Sequence, residues 1–335
     1  MDRRTKNKND GSQSNFFMKD HPRIIFMGTT DFAVASLKKI LEHLYPVIGV
    51  VTTPDKPAGR GQKITESAIK KFASIQGLPL LQPENLKDPI FLTALREWPA
   101  DIQIVVAFRL LPKEVWASPT LLGSFNLHAS LLPQYRGAAP IHWAVINGET
   151  ETGLTTFLLN EQIDRGKILL QRKISIGPQE TMGEVYNRLM ETGADLVIET
   201  LEGLTKNTLH PLPQPSRNSL KTAPKISRED CRIDWTAPLN TIFNKIRGLS
   251  PHPAAWTLLS SRSGASIPFK IYRSKPIKQK NDNPIKKIII TASQMKVSVT
   301  DGYLSIIEGQ LSGKRQMYVN DLINGIDKKN LLSVE

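Results

Sequence analysis

Between Arg23 and Gly203 the chain alternates short β-branched runs with segments whose apolar residues recur at helical spacing. RIIFMG, VIGVVTT, DIQIVVAF and GSFNLHA read as buried strands, while DFAVASLKKILEHL and TESAIKKFASIQ read as amphipathic helices, the second with Thr65 as its N-cap. Strands that alternate with helices imply a parallel sheet covered on both faces. Such a sheet places its ligand crevice at the carboxyl ends of the strands. GLTTFLLN and KILLQRKISI extend the strand set, and TMGEVYNRLMETGADLVIETLEGL closes this region as a long helix capped by Thr181.

The remaining sequence follows a different pattern. A chain of 335 residues exceeds one ordinary domain. The polar, charged residues 1–20 are expected to form a disordered extension, ahead of an α/β domain over 21–203. The aperiodic, Pro-rich stretch 204–224 reads as a linker. Residues 225–335 read as a helix near Pro238–Arg247 followed by short strands (PFKIYRSKP, KKIIITA, MKVSVTD, GYLSIIEGQL), the pattern of a small OB-like β-barrel. KPIKQKNDNPIKK is expected to be a mobile loop within it.

Charge separates the two halves further. From Lys206 onward there are 21 Lys and Arg against 9 Asp and Glu, whereas residues 1–205 carry 23 against 22. A near-neutral front half joined to a strongly basic back half suggests a polyanionic partner for the latter, with a merely solvated basic surface as the alternative reading. Cys231 is the sole cysteine, which excludes an internal disulfide and a cysteine zinc cluster. The histidines lack metal-ligand spacing, so no metal is expected. No apolar run is long enough to span a bilayer, and no membrane partner is expected. Gly28 follows the first strand, but the full dinucleotide fingerprint is missing.

Candidate chemistry lies in SFNLHASLLPQYRGAAP. Residues two apart on a strand share a face, so Asn126 and His128 project side by side at the ligand edge. An amide donor beside an imidazole can stabilise an oxyanion and move a proton, as acyl transfer requires. A satisfied polar pair at a strand end is the alternative reading. Asp164, in NEQIDRGKILL, is a carboxylate that could orient the imidazole, or simply a turn residue before Gly166. Spacing alone does not bring it to His128. The Thr52–Ile64 segment TTPDKPAGRGQKI is excluded from helix and strand interiors by its Pro and Gly content. It follows a strand, so it overhangs the ligand edge and can reach phosphates there, unless it is an ordinary long surface loop. His142, Trp235 and Trp256 read as packing residues.

These motifs together resemble the 10-formyltetrahydrofolate-dependent formyltransferase family. The residues that carry the resemblance are Asn126-Leu127-His128, Ser130-Leu131-Leu132-Pro133, Arg136-Gly137-Ala138-Ala139-Pro140 and Asp164-Arg165-Gly166. The resemblance implies a Rossmann-like catalytic domain with Asn126, His128 and Asp164 as the catalytic trio. It also implies a folate site lined by Ser130, Leu131, Leu132 and Pro133 together with Phe108, Arg109 and Leu110. Phe108-Arg109 and Lys167 depart from the family's usual pattern, which has a Gly-containing turn and a second acidic residue there. TTPDKPAGRGQKI, APKISREDCRIDW and IRGLSPHPAAWT narrow the likeness to members that formylate initiator methionyl-tRNA. That narrowing implies that Lys56, Arg60 and Lys63 enter the tRNA acceptor stem and that residues 225–335 bind tRNA. The expectation is a cytoplasmic, monomeric enzyme that uses 10-formyltetrahydrofolate as cosubstrate. A formyltransferase for a nucleotide-linked amino sugar and a non-catalytic RNA-binding protein are the alternatives.

Overall fold

The computed structural model describes residues 21–58, 61, 63–118, 120–216, 219–262, 264, 266–325 and 331–335. Strand β1 (Ile24–Gly28), helix α1 (Asp31–Glu42), β2 (Val47–Val51), β3 (Lys56–Ala58), β4 (Lys63–Thr65), α2 (Ala68–Ile75), β5 (Leu80–Leu81), α3 (Pro89–Glu97) and β6 (Ile102–Val106) open the first domain. They are followed by α4 (Lys113–Trp116), β7 (Ser124–His128), β8 (Arg136–Gly137), α5 (Pro140–Ile146), β9 (Glu151–Leu158), β10 (Ile168–Ser175) and α6 (Met182–Thr205).

Seven strands form one sheet in the order β10-β9-β7-β6-β1-β2-β5. The five strands from β5 to β7 pair in parallel, as the alternating pattern requires. β9 and β10 then add antiparallel, so the sheet is mixed rather than wholly parallel. The turn that carries Asp164 joins β9 to β10, and a turn of that length connects only antiparallel neighbours. Apolar side chains cover both faces. Phe26, Ile104, Phe125 and Leu127 lie under α1 and α6, and Met27, Val51 and Val105 pack with Phe91 and Leu95 of α3.

Helix α6 begins as expected. Thr181 and Glu184 form a reciprocal capping box that satisfies two main-chain donors. Helix α2 begins later than expected, because Ser67, not Thr65, accepts the Lys70 N–H. Thr65 instead ends β4, which pairs with β3 across Ala58 and Lys63. The segment excluded from strands therefore contains a two-stranded ribbon. A ribbon with two open edges tolerates Pro57 because the missing N–H need not enter a ladder.

After α6, β11 (Thr222–Ala223) pairs in parallel with β8. A short 3₁₀ turn (Glu229–Cys231) leads to α7 (Leu239–Leu249). Then come β12 (Ala255–Ser261), β13 (Ser266–Ile277), β14 (Ile288–Ile290), β15 (Met295–Val299), β16 (Gly302–Leu311), β17 (Met317–Tyr318), α8 (Val319–Asn324) and β18 (Leu331–Val334). The sheet runs β14-β15-β16-β13-β12-β18, with every pair antiparallel. A Lys287–Ser333 bridge joins its two edges into a nearly closed barrel. Phe269, Ile271, Val297 and Leu304 fill the interior with Trp235 and α7. Trp235 is a core residue, and its indole N–H donates to Thr257 Oγ1 at 2.9 Å. The stretch expected to be a mobile loop is tied down at two points. Asn281 donates to the Val299 carbonyl and Asn283 to the Tyr303 hydroxyl.

The barrel is fastened to the first domain by α7. The buried Arg247 donates to the Glu180 carbonyl at 3.0 Å, and Arg273 meets Glu184 at 2.6 Å. Among the described residues, no helix is long and apolar enough to cross a membrane.

Candidate active site

The site is built on β7. Its neighbours are β6, parallel, with Val105 opposite Asn126, and β9, antiparallel, with Phe157 opposite Asn126 and Thr155 opposite His128. Phe125 and Leu127 point into the core under α1 and α6, so Asn126 and His128 share the other face at the strand's carboxyl end. The Asn126 carboxamide has no hydrogen-bond partner among the described residues and is half-buried. It is a strong donor left available at the ligand edge.

His128 is buried, with its side chain 8% exposed. Its Nε2 lies 2.9 Å from the Tyr135 carbonyl. A carbonyl only accepts, so Nε2 carries the hydrogen and Nδ1 is the nitrogen left facing the crevice. Nδ1 faces Asp164 Oδ2 at 4.0 Å. The trio named from sequence therefore converges, with Asp164 arriving from the β9–β10 turn.

That turn is held in place by several contacts. Asp164 has a positive φ of 52°, and the same Oδ2 accepts the Gly137 N–H at 2.9 Å. The Asp164 carbonyl takes bonds from Arg136 Nε at 3.1 Å and Gln214 Nε2 at 2.8 Å, and Gln214 also donates to the Gly166 carbonyl. Gly166 leaves no room for a side chain, since a Cβ there would lie 1.5 Å from the Leu158 carbonyl oxygen. Gly137 has φ +124° and sits against the Ala223 carbonyl, where a Cβ would approach to 2.4 Å. The Arg-Gly and Asp-Arg-Gly motifs are thus two halves of one clamp on the carboxylate.

The Ser130–Pro133 turn leaves β7 directly. Ser130 is fully buried and donates to the Gln134 carbonyl at 2.7 Å. Thr155 Oγ1 bonds the Ser130 carbonyl and the Leu132 N–H, and Gln171 donates to the Leu132 carbonyl. Leu132 is buried, while Leu131 lies against Gly153. Pro133 lines an open cleft of about 400 Å³ with Arg136, Gly137, Ile163, Arg165 and Lys221. The Ser130 hydroxyl is therefore occupied within the turn.

Across β6, Phe108 packs on the core, Leu110 is 70% exposed, and Arg109 lies over the Phe108 ring. The Arg109 guanidinium donates to the Glu84 carbonyl at 2.8 Å and to the Pro83 carbonyl, while its buried Nε has no partner among the described residues. An exposed leucine beside a core-packed phenylalanine, at the same sheet edge as the free Asn126 amide, suits a ligand with an aromatic body and polar edges.

The ribbon formed by β3 and β4 stands at the same edge. Its base is fixed, with Thr52 Oγ1 2.8 Å from Ser67 Oγ and Gln82 donating to Asp55 at 2.9 Å. Asp55, the only acid between Thr52 and Ile64, is paired with Lys70, and that hydrogen bond holds its carboxyl below the usual range. The segment's acidic charge is thus neutralised from outside it. Lys56 is exposed on β3, and Lys63 opens β4. Arg60 lies outside the described residues.

Sequence reasoning missed three contributors. The Tyr135 carbonyl sets the His128 tautomer, but a main-chain acceptor has no signature in a residue string. Gln214 and Lys221 sit in the Pro-rich stretch read as a linker, which is tied to the first domain. Leu212 bridges to Ile168, the Lys221 carbonyl accepts the Tyr135 N–H at 2.7 Å, and β11 pairs with β8. Pro-rich composition excludes a helix there, yet it leaves an extended tie available.

A family model described as formyl transferase matches residues 22–201, and one described as formyl transferase, C-terminal domain matches residues 225–327. The methionyl-tRNA formyltransferase of Bacteroides thetaiotaomicron is 49% identical over 311 residues, covering 92% of this chain and 96% of that one. The protein of the same name from Flavobacterium johnsoniae is 48% identical over 304 residues, covering 91% and 96%. Among solved structures, the N-formyltransferase from Helicobacter canadensis in complex with folinic acid and dTDP-3-aminofucose superposes with a TM-score of 0.61. It is 19% identical, with 88% of this chain and 99% of that chain covered, and shares the fold. Two family models that together span most of the sequence, and relatives nearly half identical over almost their full length, show that this chain belongs to the formyl transferase family.

Proposed function

We propose that the chain transfers the formyl group of 10-formyltetrahydrofolate to the α-amino group of initiator methionyl-tRNA, giving N-formylmethionyl-tRNA for the start of translation. The observation that carries this reading is the 49% identity to a methionyl-tRNA formyltransferase across 96% of its length. The unpartnered Asn126 amide, the His128 ring and the Asp164 carboxylate at one strand end support it chemically.

In the reaction, the neutral amine nitrogen bonds to the formyl carbon and the carbonyl oxygen gains negative charge. Asn126 donates a hydrogen bond to that oxygen, and His128 donates from Nδ1 when its ring is protonated. Asp164 faces the nitrogen on which positive charge builds. The bond from the formyl carbon to the folate nitrogen then breaks. The amine proton leaves by way of Asp164, and the folate nitrogen gains one. Phe108, Arg109 and Leu110, with the Ser130–Pro133 turn, receive the folate. Lys56, Arg60 and Lys63 contact the acceptor stem, and the basic barrel grips the tRNA backbone at a second point. The enzyme acts as a monomer in the cytoplasm.

The test is a formylation assay with purified protein, charged initiator tRNA and 10-formyltetrahydrofolate, run beside a nucleotide-linked amino sugar as acceptor. Transfer to the tRNA alone is the expected result. Transfer to the sugar alone, or to neither, rejects the assignment.

A further inference from the structure

Tyr135 is the residue whose carbonyl fixes His128, and it adopts a positive φ of 58°. A non-glycine residue rarely adopts that conformation, so its surroundings must impose it. The main-chain N–H of Tyr135 donates to the Lys221 carbonyl at 2.7 Å. Its phenol donates to Glu149 Oε1 at 2.6 Å and accepts from Asn147 Nδ2 at 3.1 Å. Lys221 Nζ reaches the same Glu149 oxygen at 2.5 Å. Residue 221 therefore grips Tyr135 at both ends, by its carbonyl at the main chain and by its ammonium through Glu149 at the ring. Tyr135 is 5% exposed, and burial together with the Glu149 bond pushes its phenol well above the ordinary value, so it remains a donor. Burial favours a neutral Glu149, but the bonds from Lys221 and Tyr135 outweigh it and hold that carboxyl below its usual range.

We propose that Lys221 and Glu149 are positioning residues for His128. By fixing the Tyr135 carbonyl they keep the hydrogen on Nε2 and direct Nδ1 at Asp164. The proposal rests on the reading of His128 as the reacting imidazole, but its structural half can be tested without substrate.

The experiment uses the full chain, ¹⁵N-labelled at histidine, as wild type and as Lys221→Met, Lys221→Arg and Glu149→Gln. His128→Gln assigns the His128 ring signals. The ring nitrogen shifts of wild type should report the Nε2–H tautomer. Lys221→Met and Glu149→Gln should move the ring to a mixture of tautomers and lower kcat about 10–100-fold, with KM for both substrates nearly unchanged. Lys221→Arg should restore both readouts. Tyr135→Phe, which keeps the backbone but loses the phenol's bonds, serves if Glu149→Gln does not fold. Unmoved ring shifts in the folded variants overturn the proposal whatever happens to kcat. A moved tautomer with unchanged kcat overturns it too. Failure of the functional reading shows separately, as a wild type that transfers no formyl group while its tautomer still follows residue 221.

Discussion

Asp164 Oδ2 stands 4.0 Å from His128 Nδ1 while the same oxygen accepts the Gly137 N–H at 2.9 Å. The carboxylate is therefore fixed by the main chain and not by the ring. At 4.0 Å the two side chains make no direct hydrogen bond, and a proton-bearing group between them would bond to both. The attacking amine is such a group in the proposed reaction.

Substituting Asn126 by Ala removes a donor that none of the described residues uses. Loss of one such oxyanion donor typically costs ~10²–10³ in rate. The expected outcome is a fall of that order in kcat with tRNA and folate affinities close to wild type, read by steady-state kinetics and direct binding. Near-normal turnover would remove Asn126 from the mechanism.

Asp164→Asn keeps an oxygen for the Gly137 N–H but loses the charge facing Nδ1. We expect kcat to fall by roughly 10²–10⁴-fold, the range for lost proton-transfer assistance, with an almost unchanged melting temperature. Equal losses in kcat and thermal stability would mark Asp164 as a turn residue only.

Gly166→Ala should act through the fold. Its Cβ would lie 1.5 Å from the Leu158 carbonyl oxygen, so the β9–β10 turn must shift. Overpacking of this kind costs about 1–3 kcal/mol, and the shift would displace Asp164. Urea denaturation and turnover should both register the change.

Glu184 provides a pH test. Burial raises its pKa, but the Thr181 N–H and the Arg273 guanidinium outweigh that and hold it below its ordinary value of 4.5. A carboxyl with a lowered folded value stabilises the fold fully above its unfolded value and ceases to do so as pH falls through the lowered one. Glu184→Gln keeps an oxygen for the Thr181 N–H but loses the charge that faces Arg273, and because that pair is about four-tenths exposed and screened by solvent it should cost only about 0.2–1 kcal/mol near neutrality and little in strong acid. Denaturation curves at both pH values decide it.

Arg60→Leu should weaken productive use of tRNA and make KM for tRNA less sensitive to salt, while folate binding is retained. Equal losses for both substrates would assign the Thr52–Ile64 segment to the folate pocket.

The legible parts of the molecule were those with local signatures. Residues two apart on a strand placed Asn126 and His128 on one face, and Thr181 marked the start of α6. What stayed hidden depended on contacts distant in sequence. Nothing in a residue string near His128 announces that the Tyr135 main chain will accept its Nε2 hydrogen. Spacing could not bring Asp164 to the ring, because that approach depends on β9 and β10 adding antiparallel. Pro and Gly argued against strands in Thr52–Ile64, yet a ribbon open on both edges tolerates them. Gln214 was hidden by its Pro-rich setting, whose composition describes backbone propensity and says nothing of a side-chain amide.

The pairing of β11 with β8, and the Gln214 bonds to the Asp164 turn, also bear on where the molecule can be cut. A fragment ending at Gly203 would keep all three proposed reacting side chains but lose a strand, an amide and an ammonium that hold two of them. Severing the chain there would give a soluble-looking piece with its chemistry unmoored. Any fragment meant to keep these contacts must extend at least through Ala223.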